Sequence, residues 1–337
     1  MFKKTWTVVS NSSNPDMQMY FGIKLNAFFD KCYFFSQMSI ARKLHCGVSS
    51  FSKKNGLSAW IILDFIYSFF LAIFLRLKGS RYVLFDNAHI NNIPLSFFTK
   101  ILGCKQIFTI HDWEPHPGSN QFVTKLYNYL VKRYLADEFI VYSPVNSNKT
   151  VHCFYLGGFP VVPNTAHSGY FLFYGRIEPY KGLNYLLPIA DELLKRNPSL
   201  SIVVAGKGED ESLEKLSLKE NVRVINKFIE QRDLDELISG AIAILMPYES
   251  ASQSGVIPQV AAFGKSIVAH DVGALGYYIN DRLPLGTLVN KGDILGFVQA
   301  MLSKYRNYEI LTTEVRYGYS QLSRDSYIEQ FGSLFND

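Results

Sequence analysis

At 337 residues, with 48% hydrophobic and 19% charged side chains, the chain is folded rather than disordered and long enough for two cores. Its net charge of +5 conceals a split: residues 1–160 hold 17 Lys and Arg against 8 Asp and Glu, and residues 161–337 hold 17 against 21. The first half also carries 31 of the 50 aromatics, so it suits an anionic or membrane-surface partner; no dense Arg/Lys run or motif points to nucleic acid.

Short apolar runs rich in Val, Ile and Phe predict strands at 5–10, 82–86, 106–111, 138–143, 170–174, 201–205, 222–225, 243–246 and 266–270. They alternate with helix-length segments, the pattern of parallel sheets covered on both faces. Two successive series predict an α/β protein of two doubly wound, Rossmann-like domains. Glycines, prolines and polar residues at 157–168 place the boundary there: 1–160, then 161–315, with a C-terminal helix at 316–337 returning to the first domain. The N-terminal run reads as a first strand, too short in apolar residues for a signal peptide. Cys32, Cys46, Cys104 and Cys153 lack close pairs and metal-ligand spacing, and read as reduced core thiols of a cytoplasmic protein.

Ser58–Leu75 is an 18-residue stretch with one charge, Asp64. A central Asp costs about 2.5–3.5 kcal/mol on insertion. A buried or half-buried helix is favoured over interfacial contact, and a membrane span is least favoured.

The most informative stretch is Phe171-Leu-Phe-Tyr-Gly-Arg-Ile-Glu-Pro-Tyr-Lys-Gly182. A strand ends at Gly175 and delivers Arg176 and Lys181 ahead of a helix, which suits phosphate: Arg forks onto its oxygens and Lys adds a point charge. A second candidate is Ser252-Gln-Ser-Gly255, opening a helix after the strand at 243–246. Its backbone amides at Ser254, Gly255 and Val256 favour an anion, and Glu249 just upstream suits hydroxyls.

Tyr170–Leu295 resembles the C-terminal domain of retaining GT-B glycosyltransferases of the family-four type. Gly175–Gly182 is similar to that family's diphosphate-binding Arg and Lys, Ala205–Glu209 ("AGKGE") to its glycine turn, and Phe263–Gly273 ("FGKSIVAHDVG") to its "GKPVVATDVGG". The resemblance implies a GT-B fold with a cleft between the domains, and transfer of a sugar from a nucleotide-sugar donor with retention of configuration. It implies donor contacts at Gly175, Arg176, Lys181, Gly206, Glu249, Gln253, Ser254, Gly255, Val256 and Gln259. Where the family has two glutamates eight positions apart, this chain has Gln259 and, two residues early, Glu249. It also implies that His111, ending the strand at 106–111, faces the donor sugar. Catalytic roles thus fall to His111, Arg176, Lys181 and Glu249. Asp112, Glu114 and Asn14 are assigned to the acceptor side; His89 reads as structural. The loop at 11–16 lacks the family's paired glycines.

No cofactor or metal is expected; Asp233-Leu-Asp235 reads as a solvated helix face. The expected acceptor is a glycan or a polyprenyl-diphosphate-linked oligosaccharide, docked on the basic half. There Phe28, Phe29, Tyr33, Phe34 and Phe35 accompany Lys24, Lys31, Arg42 and Lys43, and the helix at 121–135 adds Lys125, Lys132 and Arg133. This places the protein peripherally on the inner face of an anionic membrane, in polysaccharide synthesis. The alternatives are a GT-B-like sugar-nucleotide epimerase or phosphorylase, and a non-catalytic partner of a polysaccharide assembly complex.

Overall fold

The computed structural model describes residues 5–9, 31–35, 60–86, 92–111, 113, 121–157, 159–163, 166–252, 254–280, 283–322, 326, 329–330 and 334. The chain divides into two compact units, Met1–Phe154 with Ile328–Asp337, and Tyr155–Tyr327.

In the first unit, six parallel strands form one sheet in the order β2-β1-β3-β4-β5-β6. They are β1 (Thr5–Val9), β2 (Lys31–Phe35), β3 (Ser80–Phe85), β4 (Lys105–Ile110), β5 (Glu138–Val141) and β6 (Thr150–Cys153). Its helices are α1 (Trp60–Leu77), α2 (Asn92–Ile101) and α3 (Gln121–Leu130). The expected helix at 121–135 does not stay α-helical: Val131–Leu135 widens into a π turn, closed by Ala136 N–H donating to Val131 O at 3.0 Å. The stretch expected as 58–75 is helical over Trp60–Leu77 and half-buried, with Leu71, Ala72 and Leu75 in the core. Among the described residues no helix is long and apolar enough to cross a membrane. Cys104 is buried as expected, whereas Cys153 is exposed at the end of the edge strand β6.

In the second unit the sheet order is β12-β11-β10-β7-β8-β9, all parallel. These strands are β7 (Tyr170–Tyr174), β8 (Ser201–Gly206), β9 (Val222–Asn226), β10 (Ala241–Met246), β11 (Ser266–His270) and β12 (Gly286–Val289). The helices are α4 (Leu183–Arg196), α5 (Ser212–Ser217), α6 (Gln231–Gly240), α7 (Val256–Ala262), α8 (Leu275–Tyr278), α9 (Ile294–Arg306) and α10 (Tyr308–Tyr319). Strand β10 is buried at every residue, which explains its unbroken apolar run. Counted from β7, the order is 3-2-1-4-5-6, the dinucleotide-fold arrangement. Its winding reverses between β7 and β10, so the carboxyl ends of those two strands leave a crevice for ligand. Residues 308–322 belong with this unit: α10 packs on α7, and the Arg316 guanidinium donates to Val162 O at 2.7 Å.

Lys265 joins α7 to β11 and is 1% exposed. Its ammonium donates to the Tyr308 hydroxyl. Burial, with help from Arg316, pushes its pKa from 10.5 down to about 8. The unfolded chain therefore holds the extra proton between those values, so this lysine penalises folding fully below pH 8, and the penalty lifts as pH rises toward 10.5. Lys265→Met is expected to stabilise the protein at neutral pH by about 1–2 kcal/mol after the lost hydrogen bond is counted. Melting curves across that window check it: the advantage over wild type must shrink as the pH rises.

Candidate active site

The site assembles at the carboxyl ends of β7 and β10. Gly175 ends β7 with φ +120°, and a Cβ there would lie 2.9 Å from the Lys181 ammonium. Glycine at this position is thus what leaves room for the lysine head. A short turn, Pro179–Lys181, then brings the chain to Gly182, whose φ of +70° starts α4. A Cβ at Gly182 would stand 1.9 Å from Pro247 O, so the turn after β7 lies directly on the turn after β10. Glu249 N–H donates to Tyr180 O at 2.8 Å and ties the two turns together. Gly206, at the end of β8, presses its backbone on Gly175 O, where a Cβ would come within 1.8 Å. Its place is one of close backbone approach.

The two cations are held differently. Lys181 is 7% exposed, and its ammonium donates to the Tyr248 hydroxyl at 3.3 Å. Among the described residues it makes no ion pair. Burial, first, and the nearby Arg176 charge lower its pKa below the usual lysine value. Arg176 instead extends outward, its side chain 77% exposed and paired with Glu178 at 2.9 Å. An ion pair this exposed contributes about 0–1 kcal/mol, so Arg176 leaves it at little cost. One cation is preset, and the other is free to swing.

Tyr248 follows β10 and is buried. Burial raises its pKa, so it remains a neutral phenol that also meets the Ser254 side chain. Ser254 is buried and turned toward this phenol, while Gly255 is exposed, with nothing within 4 Å of a Cβ built on it. Val256 opens α7 half-buried. Gln259, on α7, accepts a hydrogen bond from the Tyr174 hydroxyl at 3.0 Å. The glutamine thus occupies the position where the resembling family has a glutamate, and its amide N–H₂ keeps its donor capacity.

Glu249 sits beside the crevice in an ion pair with Lys291 and a hydrogen bond from the Tyr185 hydroxyl. The Lys291 bond, foremost, holds the carboxyl below its ordinary range. Beneath it, His270 is fully buried, and its Nδ1 donates to Tyr248 O at 3.1 Å. Burial drives the imidazole toward its neutral form. Its ring meets Tyr185 edge-on at 4.7 Å.

The second unit therefore brings Gly175, Arg176, Lys181, Gly206, Glu249, Ser254, Gly255, Val256 and Gln259 to one edge of one sheet. In the first unit, His111 follows β4, half-buried, its ring 5.0 Å from that of Tyr142. Gln253, Asn14, Asp112, Glu114 and His89 lie outside the described residues, as do Phe28, Phe29, Lys24, Arg42 and Lys43. Of the expected acceptor-side cations, Lys132 donates to Trp113 O at 2.7 Å and covers the Trp113 ring at 3.8 Å. Asp233 is exposed, and Asp235 accepts from Gln231 at 2.6 Å, which is helix-face chemistry. Sequence reasoning passed over Tyr174, Tyr185, Tyr248 and Lys291. Their signal was position: Tyr174, Tyr248 and Lys291 lie on, or just after, strands that end at this side of the sheet, and Tyr185 is in the first turn of α4, which starts there.

Residues 168–307 match the model of the Glycosyl transferases group 1 family. That segment, less than half of the chain, is similar to group 1 glycosyl transferases. It contains every candidate-site residue of the second unit. Among curated proteins, an uncharacterized glycosyltransferase of Bacillus subtilis, YqgM, is 27% identical over 191 residues. The match spans about half of each protein, 52% of this chain and 52% of the relative. Among solved structures, a glycosyltransferase from Rickettsia africae aligns over 100% of this chain and 98% of its own, with a TM-score of 0.71 and 12% identity. Anabaena HepE in complex with UDP aligns over 98% and 99%, with a TM-score of 0.69 and 13% identity. The two Rossmann-like units have the fold of GT-B glycosyltransferase structures.

Tyr248→Phe isolates the phenol that holds Lys181. The variant is expected to fold like wild type and to bind a nucleoside diphosphate about tenfold more weakly, the worth of one hydrogen bond. Calorimetric titration with UDP checks it.

Proposed function

We propose that the chain is a glycosyltransferase that takes its sugar from a nucleotide-sugar donor and passes it to a carbohydrate or lipid-linked oligosaccharide hydroxyl with retention of configuration. One observation carries the reading: a buried ammonium, partnered by a neutral phenol, is held at the winding reversal of a dinucleotide-type sheet. Burying that charge without an ion pair is costly unless a ligand anion completes it. A diphosphate is such a ligand, and Arg176 lies five residues away with a fork suited to its oxygens. The UDP in the HepE structure makes a nucleoside diphosphate the first probe.

In the reaction, the bond between the anomeric carbon and the diphosphate oxygen breaks, a bond to the acceptor hydroxyl oxygen forms, and that hydroxyl's proton goes to the departing diphosphate. Negative charge grows on the leaving diphosphate. Lys181 and Arg176 offset it, which is where preorganised charge lowers a barrier most. Glu249 accepts from a donor hydroxyl, with Lys291 and Tyr185 fixing its orientation. Gln259 offers an uncharged amide where a carboxylate is more usual in the resembling family. The reading calls for no metal and no cofactor.

A thermal-stability screen against nucleoside diphosphates and nucleotide sugars tests the reading, since a ligand that binds only the folded state raises the melting point by mass action. No shift with any of them overturns it. Binding is also expected to depend on pH. A diphosphate favours the charged form of Lys181, whose pKa burial has lowered. Affinity therefore stays level on the acid side of that value and falls about tenfold per pH unit above it. The fall begins at a lower pH than an exposed lysine would give.

A further inference from the structure

Helix α1 is apolar on both faces. Its inward face is Ser68, Leu71, Ala72 and Leu75, so a serine is buried at 7% exposure. Its outward face carries Phe65, Ile66, Phe69 and Phe70, the last 63% exposed. The neighbouring α2 extends the patch with Phe97 and Ile101, and edge-to-face contacts of the Phe98 ring with Phe65, Phe69 and Phe97 join the two helices. An ordinary surface helix puts its aromatics in and its serine out. Contiguous exposed apolar surface of this kind marks an interaction site.

Charge identifies the partner. Residues 60–81 and 92–101 carry Arg76, Lys78, Arg81 and Lys100 against a single carboxylate, Asp64. At the carboxyl end of α1, Lys78 is exposed, and Arg81 is exposed at the start of β3; Lys100, on α2, pairs with Asp137. Apolar surface with this net positive border complements an anionic lipid surface. The helix is not long and apolar enough to cross.

We propose that the outward face of α1 and α2 is a membrane-docking surface, which seats its phenylalanines at the acyl boundary of a bilayer with Lys78 and Arg81 at anionic headgroups. This goes beyond the donor reading and does not depend on it.

Flotation of the full chain with phosphatidylglycerol-containing vesicles, against pure phosphatidylcholine vesicles, tests the surface. Wild type is expected to float with the anionic vesicles and to partition less as salt is raised. Phe69→Ser and Phe70→Ser are each expected to weaken partitioning by about tenfold, the effect of withdrawing one aromatic from lipid. Lys78→Glu with Arg81→Glu should abolish the preference for anionic lipid. All four substitutions should leave the melting temperature and the UDP-induced thermal shift unchanged, which separates this result from any failure of the donor site. Three results overturn the proposal. The first is no flotation on anionic vesicles. The second is a fall in melting temperature for Phe70→Ser as large as a core substitution gives, because the face is then covered by the chain itself. The third is a lipid-free dimer that Phe69→Ser dissociates, because a second copy is then the partner.

Discussion

Lys181→Ala and Arg176→Ala are each expected to lower sugar transfer by about 10²–10³, the scale for removing one preorganised charge from a developing anion. The two should differ in everything else. Lys181 is buried with a depressed pKa, so its removal relieves a desolvation penalty and the fold is retained or tightened. Arg176 is exposed and, among the described residues, its ion pair is with Glu178, so its loss leaves the melting temperature of the free protein where it was. Both variants should lose the thermal shift induced by a nucleoside diphosphate, which provides a readout that needs no acceptor. Circular dichroism and transfer assays on the two proteins, side by side, check this. Near wild-type turnover in both would remove phosphate binding from these residues.

Gly182→Ala is expected to destabilise the second unit by about 3 kcal/mol and to lower its melting temperature by about 6–12 °C. Two causes act together. A φ of +70° costs any residue with a Cβ, and that Cβ would stand 1.9 Å from Pro247 O. Backbone cannot yield there without parting the turns after β7 and β10. Gly175→Ala differs in kind. Its Cβ would meet the far end of a flexible lysine at 2.9 Å, so it should displace the ammonium and weaken diphosphate binding as well as straining the turn. Thermal melts of Gly182→Ala decide the first point; a shift within about 2 °C would show that the turns are not locked.

Much of this was legible in the chain. The nine expected strands are all present, each within two residues of its expected ends, because a strand buried on both faces must be a continuous apolar run. The three strands that were missed, β2, β6 and β12, are all at sheet edges. An edge strand is covered less, so its residues mix polar with apolar; Thr150–Cys153 and Gly286–Val289 show little periodic signal. The aromatics Tyr33, Phe34 and Phe35, expected at the acceptor-docking surface, form part of β2. The cations of the site were visible because glycine punctuates them. Its tyrosines were not, since a tyrosine at a strand end looks the same whether it holds a lysine or fills a core. Nor could the pattern of α1 show which face turned inward, because both faces are apolar.

The hydrogen bond from Glu249 to Tyr180 and the contact of Gly182 with Pro247 have a consequence for how substrates are met. The turns that carry Lys181 and Glu249 form a single stiff half-socket, whose ordering entropy is spent during folding rather than at each encounter. Fragments of a donor should therefore dock unaided. Inorganic pyrophosphate, with neither base nor sugar attached, ought to compete measurably with the intact nucleotide.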